Sequence, residues 1–224
     1  MKISGVIFDF NGTLFWDTEL HNKAWDVFLA EKGFSLTDAE KNKNIHGKNN
    51  KDILTGIFPF QLTPEMIASY GAEKEKIYQD LCLETDMQLA PGAVDLLTFL
   101  KHEHIPFTIA TASEIGNVEF YFEKMGLDLF FDRHKVVYND GAMPGKPNPR
   151  IFEKAITVLG IKASETLIFE DSISGIEAAE NAGAGKIIIV DSNHADHRRW
   201  HHQKIRSFDE VDRNLFKNQR IAGT

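Results

Sequence analysis

Asp9 is the carboxylate that ends the apolar run Val6-Ile7-Phe8, two residues before the pair Asn11-Gly12. If the run is a buried strand, Asp9 stands at its carboxyl end, where open α/β sheets place their ligands. It is then a candidate nucleophile or metal ligand. Asn-Gly after a strand also signals a hairpin. The residues that follow argue otherwise: from Trp16 to Lys32, Leu20, Ala24, Val27 and Phe28 recur at helical spacing, so a polar turn leads into a helix. Three further stretches close core elements with polar groups: Thr111-Ala112-Ser113, Gly145-Lys146-Pro147-Asn148-Pro149, and Glu170-Asp171-Ser172-Ile173-Ser174-Gly175. Pro147 holds the lysine in an extended backbone. Two or three carboxylates can hold Mg²⁺ through hard oxygen ligands, while a lysine and a hydroxyl cradle the remaining oxygens of a phosphate. That set is equipment for phosphoryl transfer, with Asp9 attacking phosphorus and the metal and Lys146 spreading the developing charge. Each piece taken singly has a plainer reading. Thr111 and Ser113 could cap a helix starting near Ser113 and Glu114, Lys146 could be solvated, and Asp171 could be the N-cap of a helix from Ile173 to Ala182.

The elements that must position these groups follow from apolar patterning. Ile3 to Phe8, Pro106 to Ala110, Thr166 to Phe169 and Lys186 to Val190 read as strands of one parallel sheet, and helical patterns such as Arg150 to Leu159 separate the last three. The expected fold is α/β, a doubly wound, Rossmann-like parallel sheet. Between the first two strands lies far more chain than the ~30 residues of a βαβ unit. It reads as several helices, with Thr37, Thr63 and Pro64 as starts and Gly33, Gly47 and Gly56 as breaks. The expectation is an inserted α-helical cap over the sheet edge, residues 17–87, with residues 1–16 and 88–224 forming the core. Pro91-Gly92 begins the helix Ala93 to His102 and marks the return to the core.

The 224 residues are 42% hydrophobic, enough for a sizeable core, and 25 Lys plus Arg against 33 Asp plus Glu give a net charge of -8. That balance argues against a nucleic-acid or anionic-membrane surface and for a small-molecule partner. The single cysteine, Cys82, excludes an internal disulfide and fits a reducing compartment. With no signal-peptide pattern and no apolar run near ~18 residues, the expected location is cytoplasmic.

The motifs Asp9-Phe10-Asn11-Gly12-Thr13, Thr111, Lys146-Pro147 and Glu170-Asp171-Ser172 with Gly175 together resemble the haloacid dehalogenase superfamily, and most closely its β-phosphoglucomutase-like branch with a helical cap. The resemblance runs from Ile3 to about Val190. It implies a Mg²⁺-dependent phosphatase of a small phosphorylated metabolite, sugar phosphates included, monomeric or weakly dimeric. Asp9 is then the nucleophile and a metal ligand, the backbone carbonyl at Asn11 a further ligand, and Asp171 with Glu170 the rest of the metal site. Thr111, Ala112 and Lys146 would bind the transferring phosphate. His21 and Trp25, with Asp17-Thr18 before them, match cap-side positions.

Two positions depart from the family's pattern. Its phosphatases usually carry an aspartate where Asn11 stands, a group that protonates the leaving oxygen and activates water. An amide cannot deliver a proton, and such catalysis contributes about 10²- to 10⁴-fold. The expected consequences are weak turnover, a preference for good leaving groups, or a phosphate-binding regulatory protein without turnover. Asn50, in His46-Gly47-Lys48-Asn49-Asn50-Lys51, stands where the family commonly has an arginine that grips a second phosphate. Lys48 or Lys51 could substitute for that arginine only in part, so a phosphomutase ranks third.

Gly141 to Lys146 and Gly183 to Lys186 do not fit a phosphate-binding loop, since Lys146 precedes a proline and Lys186 a strand. His194, His197, His201 and His202 lack a Cys or Glu partner at zinc-ligand spacing and read as a solvated, pH-sensitive surface. Phe120-Tyr121-Phe122 and Phe130-Phe131 read as core.

Overall fold

The computed structural model describes residues 2–216. Six parallel strands, β1 (Gly5–Phe8), β2 (Phe107–Glu114), β3 (Val137–Asn139), β4 (Thr166–Glu170), β5 (Lys186–Val190) and β6 (Gln203–Ile205), form one sheet in the order β3-β2-β1-β4-β5-β6. This is the doubly wound arrangement expected from the sequence. Helices cover both faces, so the central strands are buried on both sides and read as unbroken apolar runs. Successive side chains alternate between the two faces. Val6 and Phe8 join Leu96, Leu97 and Leu100 of α5 (Ala93–His102), and the Phe8 and Phe169 rings stack with centroids 5.1 Å apart. Ile7 and Ile168 join Ile151, Phe152 and Ala155 of α7 (Arg150–Leu159) on the opposite face.

Between β1 and α5 lie four helices: α1 (Thr18–Glu31), α2 (Asp38–Asn44), α3 (Asn50–Ile57) and α4 (Pro64–Leu83). They have their own core of Trp25, Phe28, Leu29, Ile45, Ile53, Leu54, Phe58 and Leu62, which makes the insertion a cap. Thr37 and Thr63 start α2 and α4 as expected, each accepting from a backbone N–H of the first turn, and Pro64 occupies the first turn of α4.

The structure corrects several expectations. There are six strands among the described residues, not four. β3 and β6 have three residues each, too few for a period to register, and β2 runs on to Glu114. Gly56 breaks nothing; it lies inside α3. Val27 is 39% exposed, and Trp25 and Leu29 fill the stripe of α1 in its place. Phe120, Tyr121 and Phe122 are buried on α6 (Ile115–Met125), and Phe131 is buried just beyond it. Among the described residues, no helix is long and apolar enough to cross a membrane.

Candidate active site

β1 and β4 are neighbours in the sheet, and Phe8 pairs with Phe169. Asp9 continues the ladder through its N–H to the Phe169 carbonyl at 3.0 Å, which brings it beside Glu170 and Asp171 at the adjacent strand end. This is where the strand order reverses, the crevice in which such sheets take ligands. Oxygen atoms of Asp9, Glu170 and Asp171 all lie within 4.8 Å of one another, and all three residues are buried. Lys146, on the loop before α7, donates to Asp9 Oδ1 at 2.6 Å and to Glu170 Oε1 at 2.5 Å; its peptide bond to Pro147 is cis.

Three carboxylates against one ammonium leave this buried cluster with surplus negative charge. Burial, reinforced by the Glu170 carboxylate and opposed by Lys146, pushes Asp9 up to about 7. Burial with the charges of Glu170 and Asp9 pushes Asp171 well above the carboxylate range. Burial would lower Lys146, but the two carboxylates beside it outweigh that and hold the ammonium charged. An all-oxygen donor set with too much buried charge suits a hard divalent cation.

Gly12 and Gly175 leave room for these carboxylates. Gly12 has φ +77, and a Cβ there would run into the Asp171 carboxyl. A Cβ at Gly175 would overlap the Glu170 carboxyl. Gly175→Ala must therefore displace Glu170, and the expected result is ~10- to 100-fold weaker divalent-cation binding by calorimetry. Binding as tight as in the unaltered protein would contradict the placement of Glu170.

Asn11 is held at all four of its hydrogen-bonding positions. Its Nδ2 donates to Asp17 Oδ2 at 2.6 Å and to the Tyr121 hydroxyl at 2.8 Å, while Oδ1 accepts from Ser113 Oγ at 2.7 Å and Thr111 Oγ1 at 3.3 Å. Asp17 also accepts from the Gly12 N–H at 2.9 Å and from the Tyr78 hydroxyl, and His21 Nε2 lies 3.4 Å away. Burial would raise the Asp17 carboxyl, but His21, Tyr78 and Asn11 outweigh it and hold it below the usual range.

The capping readings of the polar strand ends therefore fail. Helix α6 begins at Ile115 without a side-chain cap, and Thr111 and Ser113 turn toward Asn11. The N-cap of α8 (Ile173–Asn181) is Ser172, whose Oγ accepts from the Gly175 N–H. Asp171 instead accepts from Thr13 Oγ1 at 3.3 Å and Asn193 Nδ2 at 3.1 Å. Lys146 is 3% exposed, not solvated.

Asp9, Asn11, His21, Asn50, Thr111, Ala112 and Asp171 line one cavity of about 80 Å³ between cap and sheet, together with Trp25. Lys146 and Glu170 are absent from that lining and bear on it through Asp9. Asn50 lines the cavity with its amide donating to Glu75 Oε1 at 2.8 Å. Lys48 also lines the cavity but donates to the Lys43 carbonyl, and Lys51 is exposed.

Lys74 and Glu75 are cavity residues the sequence reading missed. In the run Glu73-Lys74-Glu75-Lys76 they look like a solvated helix face, yet the buried stripe of α4 is Gly71, Lys74, Tyr78 and Cys82. A lysine at that spacing was the available signal. The histidine-rich segment is exposed at His194 and His201, as expected, and is corrected at His197. His197 is fully buried, with Nε2 2.7 Å from the Asp171 carbonyl, and His202 pairs with Glu180. Burial comes first because Trp200 and β6 fold this segment against the sheet edge.

A family model of haloacid dehalogenase-like hydrolases matches residues 3–183. The crystal structure of a HAD hydrolase, family IA, variant 3 from Entamoeba histolytica superposes with a TM-score of 0.85 at 36% identity, covering 96% of this chain and 97% of that one. A phosphorylated carbohydrates phosphatase of Thermotoga maritima is 26% identical over 192 residues, 84% of this chain and 85% of that protein. Fructose-1-phosphate phosphatase YqaB of Escherichia coli is 28% identical over 191 residues, 84% and 97% of the two chains. The sheet order, the carboxylates at the ends of β1 and β4, and the match across most of its length place this chain in the haloacid dehalogenase-like hydrolase family.

Proposed function

We propose that the protein is a Mg²⁺-dependent phosphatase of small phosphorylated metabolites, working through an aspartyl-phosphate on Asp9, with residues 1–16 and 88–224 as catalytic core, 17–87 as cap, and a monomeric or weakly dimeric state. The observation that carries this reading is Asp9 itself, which opens into the cavity while Lys146 and Glu170 fix it from behind. The phosphatase relatives acting on phosphorylated carbohydrates and fructose 1-phosphate support it.

A carboxylate oxygen of Asp9 attacks phosphorus and the ester P–O bond breaks, the electron pair leaving with the alcohol oxygen. Water then attacks the same phosphorus, releasing phosphate and restoring the carboxylate. Thr111, Ala112 and Lys146 would hold the transferring group, and the cap over the sheet would limit the access of bulk water. Mg²⁺, when bound by Asp9, Glu170, Asp171 and the Asn11 carbonyl, would offset charge on the phosphoryl oxygens. His21, Trp25 and Asn50 would bound the leaving-group side. Asn11 supplies no proton, so the leaving alcohol draws it from solvent or carries it in the substrate.

The test is steady-state phosphate release from an aryl phosphate and from acetyl phosphate. Turnover is expected with Mg²⁺ and not with chelator. A folded protein with no turnover would favour the second reading, a phosphate-binding or regulatory protein, which the fully engaged Asn11 amide supports. A phosphomutase stays third, because Asn50 is tied to Glu75.

The raised carboxyls also predict a pH-dependent stability. Asp9 binds its proton more tightly folded than unfolded, so as pH rises from about 4 toward 7 the metal-free protein loses stability from this group. A cation replaces that proton. Adding Mg²⁺ is therefore expected to raise the melting temperature more at pH 8 than at pH 6; equal shifts at both would contradict it.

A further inference from the structure

We infer that Glu75 is a specificity-determining residue: with Lys74 it takes a hydroxyl group of the leaving group and turns away a second phosphate. The inference rests on the phosphatase reading of the same cavity.

Helix α4 places both side chains in the cavity lining with Asp9. Lys74 is 2% exposed, with Nζ 2.9 Å from His21 Nδ1 and 3.1 Å from Glu75 Oε1, over the rings of Trp25 and Tyr78. Of its three N–H donors, two are engaged. Among the described residues, Glu75 Oε1 accepts from Asn50 and Lys74, whereas Oε2 accepts only from Asn117 Nδ2, at 2.7 Å. Glu75 Oε2 and Lys74 Nζ, both on residues that line the cavity, thus each keep one hydrogen-bonding position unfilled by these partners. A hydroxyl, which donates and accepts, satisfies both.

Charge points the same way. Burial would raise the Glu75 carboxyl, but Lys74, His21 and the two amides hold it down to about 2, so it is an anion at any working pH. The cation that could attract a distant phosphate is already neutralised by it. Like charge placed against a wrong partner is a device for rejecting it. Asn117 belongs to α6 of the core, so Glu75 also joins cap to core.

The test uses propyl phosphate, glycerol 3-phosphate and 1,3-propanediol bisphosphate, which share a three-carbon chain and one kind of scissile ester. Asn11 therefore affects all three alike, and ratios of kcat/KM within one protein cancel any loss of folded enzyme. The unaltered protein is expected to prefer glycerol 3-phosphate to each of the others by about tenfold or more. In Glu75→Gln, which keeps the shape and removes the charge, the ratio of glycerol 3-phosphate to bisphosphate should fall about tenfold. Ratios unchanged within about twofold would overturn the role of Glu75. The same comparison read as dissociation constants, in Asp9→Asn with and without Glu75→Gln, reports on Glu75 even in a protein that does not turn over. Absence of turnover would thus count against the phosphatase and not against this residue.

Discussion

Asp9→Ala is expected to lose Mg²⁺-dependent phosphate release from an aryl phosphate by ~10⁴-fold or more, the scale seen when a nucleophile is removed. The remaining side chains stay in place for a physical reason. Lys146 keeps Glu170 as its partner at 2.5 Å, and the cluster sheds one of three buried carboxylates. A second readout separates loss of chemistry from loss of fold. Asp9 is held up to about 7, so its ionisation opposes folding as pH rises through that region. The metal-free variant should therefore gain in melting temperature relative to the parent between pH 6 and pH 8. Full activity in Asp9→Ala, or a variant that is unfolded at both pH values, would remove the basis for the assignment.

Asn11→Asp is expected to raise turnover of an alkyl phosphate by about 10²-fold and that of an aryl phosphate far less. The reason lies in what surrounds position 11. A carboxyl oxygen in place of Nδ2 would stand where Asn11 now meets Asp17 Oδ2 at 2.6 Å, in a buried site. Two carboxylates so placed cannot both ionise, so one keeps a proton well above the usual range. Asp17 is held low by His21 and Tyr78, which leaves the proton with the new aspartate. That is the protonation state an acid catalyst needs. Activity on the alkyl ester should then fall as pH rises through the raised pKa of the new group. The substitution also removes the donor to the Tyr121 hydroxyl, so a stability loss of about 1–3 kcal/mol accompanies the gain. Unchanged alkyl phosphate turnover in a folded variant would show that Asn11 is not what limits proton delivery.

The path from sequence to site was clearest where chain continuity fixes position. Asp9, Glu170 and Asp171 each follow an apolar run, and adjacent parallel strands bring such residues together without further information. The cap was legible as excess chain with helix-start signals at Thr37 and Thr63. Roles set by tertiary contact were not. Whether Ser113 caps a helix or meets Asn11 depends on a neighbour 102 residues away. Lys74 and Glu75 sit in an alternating charge run, and only the stripe that continues through Tyr78 and Cys82 places the lysine inside. His197 lies in a polar, histidine-rich segment, and its burial depends on β6 and Trp200 packing, elements with almost no periodic signal.

The most direct test is rapid acid quenching of the protein with Mg²⁺ and acetyl phosphate, followed by peptide mass analysis of the segment that holds residue 9. A phosphoryl group on Asp9, formed at least as fast as phosphate is released and absent in Asp9→Ala, is the predicted result. Steady turnover with the group on another residue, or with none on the protein at any time, would contradict it.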